Sequence, residues 1–526
     1  AYRASLAIRE QIAAADRGNR LSQRDLSVSY NSIGDVLLAQ GKLEEALAAY
    51  RAALAIREQL AAADPGNMEW QRDLPLSYYR LGEVLLMQRK LDEARDAYRA
   101  SVAIQERLVA ADGSNTEWQR DLSVSYARLG DVLAEQGKLD EALEAYRASL
   151  TIRERLAAAD PSNMEWQRDL SAAYTKVGEG FAAQGKLDEA LKSYRLALAI
   201  QERLAVVGPD NVQWQRDLSG SYDVIGDALA LQGALDDALK AYRDGLAIRE
   251  RIAGGDPANK IWQRDLSVSY NKLGNVLAAQ GKLDDALKFY RDAFAIRERL
   301  AAGDPGNMQS QRDLELSSNW VGDVLAAQGK LDEALEAYRR GLAIALRLGD
   351  AVPSNAQWQR DLAIAYNKVG NVLSAQGKGD EALEAYRADL AIAERLAAAD
   401  RSNLQWQRDL AVTYNKVGNL LLAQGKLDDA LKAYRDGFAI FERLAAVDRS
   451  NATWQRDLGL SFSNLALVHM QLGDNAQALS ELRSAREIFA ALAGGAPNDA
   501  QLQKFLEVLE GQIARLEALG HDVTKN

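Results

Sequence analysis

Residues 262–307 read WQRDLSVSYNKLGNVLAAQGKLDDALKFYRDAFAIRERLAAGDPGN, and variants of this stretch recur every 48 residues with no insertion or deletion. The opening tetrad, Ser/Trp-Gln-Arg-Asp, begins at Ser22, Trp70, Trp118, Trp166, Trp214, Trp262, Ser310, Trp358, Trp406 and Trp454. Spacing this strict implies one fixed stacking geometry, because a single added residue would turn every later contact out of register. An unbroken repeat also removes the internal boundaries that 526 residues would otherwise suggest. One elongated array is expected.

Numbering each repeat from the tetrad, position 46 is Asn from Asn19 and Asn67 through Asn451, with Asp499 as the eleventh equivalent. These are helix N-cap residues, whose side-chain oxygen accepts from an orphan helix N–H. Two residues upstream stand Pro65, Pro161, Pro209, Pro257, Pro305, Pro353 and Pro497, which end the preceding helix. Beyond the cap, Trp262, Leu266, Tyr270, Leu273, Val276 and Leu277 keep helical spacing. Position 20 is then Gly in every repeat except the second, where it is Arg89; a C′ glycine takes positive φ without strain. A second helix follows through Leu283, Ala286, Leu287, Tyr290, Ala293, Phe294, Ile296 and Leu300. Each repeat is thus expected to be two antiparallel helices of roughly 20 residues, each about 30 Å long.

Composition narrows the function classes. With no cysteine, neither a disulfide framework nor a thiolate site exists, and cytoplasm is the default location. The two histidines, His469 and His521, both fall in the irregular last tenth, so no His-based metal or acid–base machinery recurs along the array. A net charge of −11, from 64 basic and 75 acidic residues, opposes attraction to phosphate and argues against nucleic acid. No apolar run approaches the ~20 residues of a spanning helix, so no membrane role is expected. No catalytic residue, cofactor site, metal site or small-molecule substrate site stands out above the repeat background.

Small residues mark where helices cross closely. Position 13 is Gly from Gly34 to Gly418 and then Ala466, and position 25 is Ala from Ala46 to Ala478. A mid-helix glycine costs about 1 kcal/mol relative to alanine, so its recurrence implies close approach, with Tyr at 29 and Ile at 35 filling the space beside it. The order Tyr270, Leu273-Gly274, Leu277, Ala286, Tyr290, Ala293 resembles the tetratricopeptide repeat (TPR) signature, and the match runs along essentially the whole chain. The unit is longer than the common TPR of roughly 34 residues. In this it is similar to the long repeats of kinesin light chain and of bacterial multidomain proteins. The resemblance implies an all-α, right-handed α-solenoid, a superhelix of about ten stacked antiparallel helix pairs. It also implies that first helices line a concave groove.

The expected organisation is a partial repeat at 1–21, ten repeats at 22–501, and a C-terminal capping helix with tail at 502–526. Because the chain opens inside a second helix, at Tyr2 and Ile8, further sequence is expected upstream of Ala1. After Trp454 the pattern decays, with Leu482 for Tyr and Ala466 for Gly, before a charged final helix from Asp499 to about Leu519.

Positions identical in every repeat report packing between repeats, whereas positions that vary are free to address a partner. The invariant Gln263, Arg264 and Asp265 are expected to pair with the Arg-Glu-Arg run of the neighbouring helix, such as Arg249, Glu250 and Arg251, and the Trp column to be core. The resemblance implies that positions 10, 11, 14, 17 and 18 face the groove. Repeats six, eight and nine there carry Asn271, Lys272, Asn275; Asn367, Lys368, Asn371; and Asn415, Lys416, Asn419. Asn at i and i+4 with Lys beside it offers amide groups and a cation on one helix face, suited to an extended peptide and its carboxylates. Repeat seven adds Asn319, Trp320 and Asp323, the Trp being expected as an aromatic anchor or, because Ser310 replaces the core Trp, as local repacking. Earlier repeats carry Asp35, Glu83, Asp131, Glu179 and Asp227 at position 14, partly offset by Arg80, Arg128 and Lys176. The expected function is a non-enzymatic scaffold that binds a protein or peptide in its groove. The alternative is the sensor arm of a larger bacterial multidomain protein, with a nucleotide-switch or caspase-like effector upstream of residue 1.

Overall fold

The computed structural model describes residues 2–16, 18–496 and 499–523, with side chains described for 5–16, 18–496 and 499–518. Pro497 lies outside the described residues, as do the side chains of Tyr2, Leu519 and His521. Among the described residues the chain forms 22 α-helices and no strand, so the all-α expectation holds. First helices span 20 residues, as in Met68–Met87, or 21 in repeat ten, Ala452–Leu472, and second helices of the ten repeats 20 or 21, as in Leu91–Ala111. The final helix is longer than expected, Ala500–Val523. No described helix is long and apolar enough to cross a membrane.

Contacts divide the chain into two compact halves, one ending at Trp262 and the other beginning at Gln263. Within each half, first helices pack on the second helix of their own repeat and on the second helix of the repeat before it, as Met164–Ala183 and Ala356–Ala375 do, the order of an α-solenoid. Local chemistry sets both ends of the first helix. Asn115 Oδ1 accepts from the Trp118 N–H at 3.1 Å, and Asn403 Oδ1 from that of Trp406 at 3.1 Å. At the other end Gly41 takes φ +73°, with Lys42 N–H donating to the Leu37 carbonyl and Gly41 N–H to that of Leu38, a Schellman closure. Arg89 makes the same turn at φ +60°, the one described non-glycine residue with positive φ. Backbone geometry is thus kept even where the residue suited to it is lost.

The recurrent glycine of position 13 does what its cost implied. A Cβ on Gly34 would stand 2.5 Å from the Tyr50 ring, and one on Gly418 2.6 Å from that of Tyr434. Tyr50, Tyr98 and Tyr434, all but fully buried, seat against these glycines, with Ala46, Ala94 and Ala430 closing the crossing.

The Gln-Arg-Asp tetrad behaves differently from expectation. Its arginine pairs with the tetrad aspartate of the next repeat, forming a ladder: Arg24–Asp73 (2.7 Å), Arg120–Asp169 (2.6 Å) and Arg168–Asp217 (2.5 Å) in the first half. In the second half the rungs are Arg264–Asp313 (2.6 Å), Arg312–Asp361 (2.5 Å), Arg360–Asp409 (2.7 Å) and Arg408–Asp457 (2.6 Å). Each rung ties one first helix to the next, so groups far apart along the chain meet through stacking alone. The glutamine does meet the expected partner, at Arg251–Gln215 (2.5 Å) and Arg395–Gln359 (3.3 Å), while its amide also donates to a carbonyl at the end of the preceding helix, as in Gln71 to Ala61. The Trp column is half-buried rather than core throughout: Trp70 is buried, and Trp118, Trp406 and Trp454 pack at the edges of core clusters.

Candidate functional site

The varying face of the first helices is organised by the tyrosines of position 29. In repeats six to nine each tyrosine hydroxyl reaches the position-14 side chain of its own repeat: Tyr290 to Asn275 (2.5 Å), Tyr338 to Asp323 (2.6 Å), Tyr386 to Asn371 (2.8 Å) and Tyr434 to Asn419 (2.6 Å). Asn275, Asp323, Asn371 and Asn419 are all exposed. In the three asparagines the hydroxyl engages Oδ1, so the amide plane is held; Nδ2 of Asn275 and Asn419 is turned to solvent, whereas that of Asn371 also donates to Asn367 Oδ1 at 3.3 Å. The sequence reading missed these tyrosines, which their constant separation from position 14 could have flagged.

Position 11 links one repeat to the one before it. Lys416 donates to Asn367 Oδ1 (2.5 Å) and Asn371 Oδ1 (2.9 Å), and its ammonium lies 5.8 Å from the Tyr386 ring centre. Lys368 pairs with Asp323 and lies 5.4 Å from the Tyr338 ring centre. Trp320, in the same column, stacks on Tyr290 at 6.2 Å and 21°, with the Arg297 guanidinium 5.1 Å from its centroid. Trp320 therefore leans on the preceding second helix, with its ring half-buried.

Position 10 sits deeper. Asn271 is 4% exposed and neither amide atom is hydrogen-bonded, and Asn319 is 5% exposed, donating to Glu315 Oε1 at 2.5 Å. Asn367 is half-buried, donating to Asp389 Oδ2 at 2.8 Å, and Asn415 is half-buried with its Oδ1 unpartnered. Lys272 is half-buried. The structure thus joins Asn367, Asn371, Lys416 and Asp389 into one network, and Asp323 with Lys368 into another. It does not join either to Asn271, whose side chain has no partner.

In the first half position 14 is acidic in all five repeats and position 11 is basic in repeats two to four. Arg80 bridges Asp35 (3.7 Å) and Glu83 (3.0 Å), and Lys176 bridges Asp131 (3.1 Å) and Glu179 (2.8 Å). Burial draws the Lys176 ammonium down, but Glu179 and Asp131 more than offset it and the pKa rises. Lys416 moves the other way: burial dominates, Asp389 only partly compensates, and the pKa is lowered. The acidic surface expected of the early repeats is therefore largely neutralised by cations from the next repeat.

Among the described residues no group of three or more His, Asp or Glu side chains is placed to hold a metal ion. His469 is buried against Glu481, with Nδ1 2.8 Å from Oε2.

Comparison with known proteins matches the geometry. Three family models, each described as tetratricopeptide repeat, match residues 73–155 and 361–443, residues 26–65, 218–259 and 266–304, and residues 460–484. Together these segments span more than half of the chain. No curated protein matches it. Among solved structures, similarity extends to a STAND signal-transduction ATPase with a tetratricopeptide repeat sensor from Pyrococcus horikoshii, at 13% identity over 78% of this chain and 55% of that one, TM-score 0.46. It extends also to the apo form of RapI, at 16% identity over 62% and 99%, TM-score 0.41. A putative kinesin light chain of Podospora anserina with nearly identical TPR-like repeats is similar at 18% identity over 44% and 97%, TM-score 0.35. On the family-model matches, which its glycine–tyrosine crossings and capped helix pairs accompany, the chain belongs to the tetratricopeptide repeat family.

Proposed function

We propose that the chain is a non-enzymatic interaction scaffold that receives an extended, carboxylate-bearing segment of a protein partner on the first helices of repeats six to nine. The family is one of interaction repeats, and what supports this surface in particular is the tyrosine column. By holding Oδ1 of Asn275, Asn371 and Asn419, the tyrosines fix three exposed amides, that of Asn371 further held by its bond to Asn367, with little conformational entropy left to lose on that side. Lys368 and Lys416 add positive charge beside them. Asn319, Trp320 and Asp323 belong to the same face, Trp320 giving a flat apolar edge between the polar groups.

The test uses the chain's own alternative. Repeats one, three, five and seven carry Asp at position 14 and keep the tyrosine bond, so Asn371→Asp with Asn419→Asp preserves that bond while replacing the amide donors with anionic carboxylates that would repel the peptide's own. Peptides enriched from a displayed random library on the wild-type chain are expected to bind the double variant at least about tenfold more weakly, as loss of charge-assisted bonds implies. Equal affinity for both proteins would remove this face from the function.

A further inference from the structure

Position 36, on the second helix beyond the column tyrosine, changes in chemical kind along the array although it faces the core. It is Arg57, Arg153, Arg249 and Arg297 in repeats one, three, five and six, Gln105 and Gln201 in two and four, and Ala345, Ala393 and Phe441 in seven to nine. Where arginine stands, its guanidinium is buried and well supplied with acceptors. Arg57 donates to Ser27 Oγ (3.2 Å), the Asp73 carbonyl (2.7 Å) and Ser77 Oγ (3.0 Å). Arg297 repeats the set with Ser267, Asp313 and Ser317 at 3.1, 3.1 and 2.9 Å. In repeat five Arg249 meets a carboxylate there, Asp223, at 2.6 Å.

Repeat eight has Ala393 at this position, and the space beside it is a cavity of about 160 Å³, close to the ~150 Å³ of an engineered cavity that takes benzene. Two of the acceptors outlast the arginine. The Asp409 carbonyl and the Thr413 hydroxyl occupy the places of the Asp73 carbonyl and Ser77 hydroxyl that hold Arg57, while Ala363 stands in the place of Ser27. Asp389 is added at position 32, a place held by Ala, Ser or Gly in every other repeat. Asp389 is 3% exposed, and both its hydrogen bonds, from Asn367 Nδ2 (2.8 Å) and Thr413 Oγ1 (2.9 Å), fall on Oδ2, leaving Oδ1 for the cavity. The nearby cations are engaged elsewhere: Arg360 pairs with Asp409 at 2.7 Å, and Lys416 donates to Asn367 and Asn371. Leu396, Trp406 and Val412 make the remaining wall apolar.

We propose that this cavity binds a guanidinium group on a short aliphatic stem, the head on Asp389 and Thr413 and the stem against Leu396 and Trp406. A planar fork of donors matches a carboxylate oxygen beside a hydroxyl, and the apolar wall suits methylenes better than water. A buried carboxylate with no cation bonded to it directly is costly, and burial, only partly offset by Asn367, Thr413 and the Lys416 charge, pushes Asp389 up to about 6; the ligand would supply that direct partner. The inference stands apart from the peptide surface, since a small free compound tests it.

The full chain is titrated with N-propylguanidinium, and with N-propylurea as the neutral isostere, by calorimetry and by the NMR shift of the Trp406 indole. Saturable binding of the guanidinium alone, with a Trp406 shift, is expected. Asp389→Asn, which keeps an acceptor for Asn367 and Thr413, is expected to weaken it about tenfold or more, and Ala393→Arg, which supplies the group from within, to abolish it. Equal response to the urea, no saturation in the wild type, or unchanged affinity in Ala393→Arg would overturn the proposal. The wild-type arms decide even if a variant fails to fold. Acetyl-Gly-Arg-Gly-amide against its citrulline analogue distinguishes the source: tighter binding than propylguanidinium assigns the site to a partner's arginine, weaker binding to a free small molecule.

Discussion

Repeats three and four and repeats eight and nine share a backbone plan and a glycine–tyrosine crossing, yet they spend their polar groups differently. In the former, Lys176 is consumed by Asp131 and Glu179. In the latter, Lys416 meets amide oxygens, and the exposed amides of Asn371 and Asn419 are held by their tyrosines, that of Asn371 also donating to Asn367. A change of Asp or Glu to Asn in one column converts a face that satisfies itself into one with donors to offer. The frame stays constant and the chemistry of one position sets what the surface can receive.

The largest expected effect breaks the shared frame. Gly370→Val places a branched side chain where even a Cβ would lie 2.6 Å from the Tyr386 ring, and ~3 kcal/mol of stability is expected to be lost in urea unfolding. Gly130→Val, against Tyr146, is expected to cost as much. Only the former should also weaken peptide binding, because it displaces the hydroxyl that orients Asn371.

Repeat seven, between the two kinds, buries Glu315 (1% exposed) beside Asn319, with Oε2 unpartnered. Burial, reinforced by Asp361, holds this carboxyl up at about 8, whereas in the unfolded chain it ionises near its ordinary 4.5. Between those values the unfolded state has released a proton that the folded state keeps, so stability falls as pH rises and levels off above about 8. Glu315→Gln is therefore expected to exceed wild type by on the order of 2–3 kcal/mol at alkaline pH. The two proteins should converge in acid, below the unfolded value, when denaturation is followed across pH.

A smaller effect sharpens the contrast in charge. Lys176→Met leaves Asp131 and Glu179 without their shared cation, and about 1 kcal/mol is expected to be lost at low salt, shrinking as salt is added. Lys416→Met removes bonds to neutral amides, so its cost, read from the same melts, is expected to be smaller and nearly independent of salt.

Much of the fold was legible because its determinants are local. An Asn cap, a C′ glycine and a mid-helix glycine facing the tyrosine of its own repeat all act within one unit, and periodicity exposes them. Contacts between repeats were not legible in the same way. Arg264 and Asp313 belong to different repeats, and nothing in helical spacing distinguishes that partner from the Arg-Glu-Arg run of the neighbouring helix. Trp320 illustrates the same limit: its position on the first helix was readable, but its stacking on Tyr290 depends on how successive repeats are offset. Asp389 was visible as an exception in its column, but the loss of arginine at Ala393 gives that exception meaning only once the two are seen to share one cavity.

Hydrogen exchange on the full chain with a library-selected peptide tests the division between frame and surface most directly. Added protection is expected on the first helices Ala356–Ala375 and Leu404–Ala423, around Asn371 and Asn419, with the second helices Gly379–Ala399 and Leu427–Val447 unchanged. Protection confined to those second helices, or equal protection with the Asn371→Asp, Asn419→Asp protein, would contradict it.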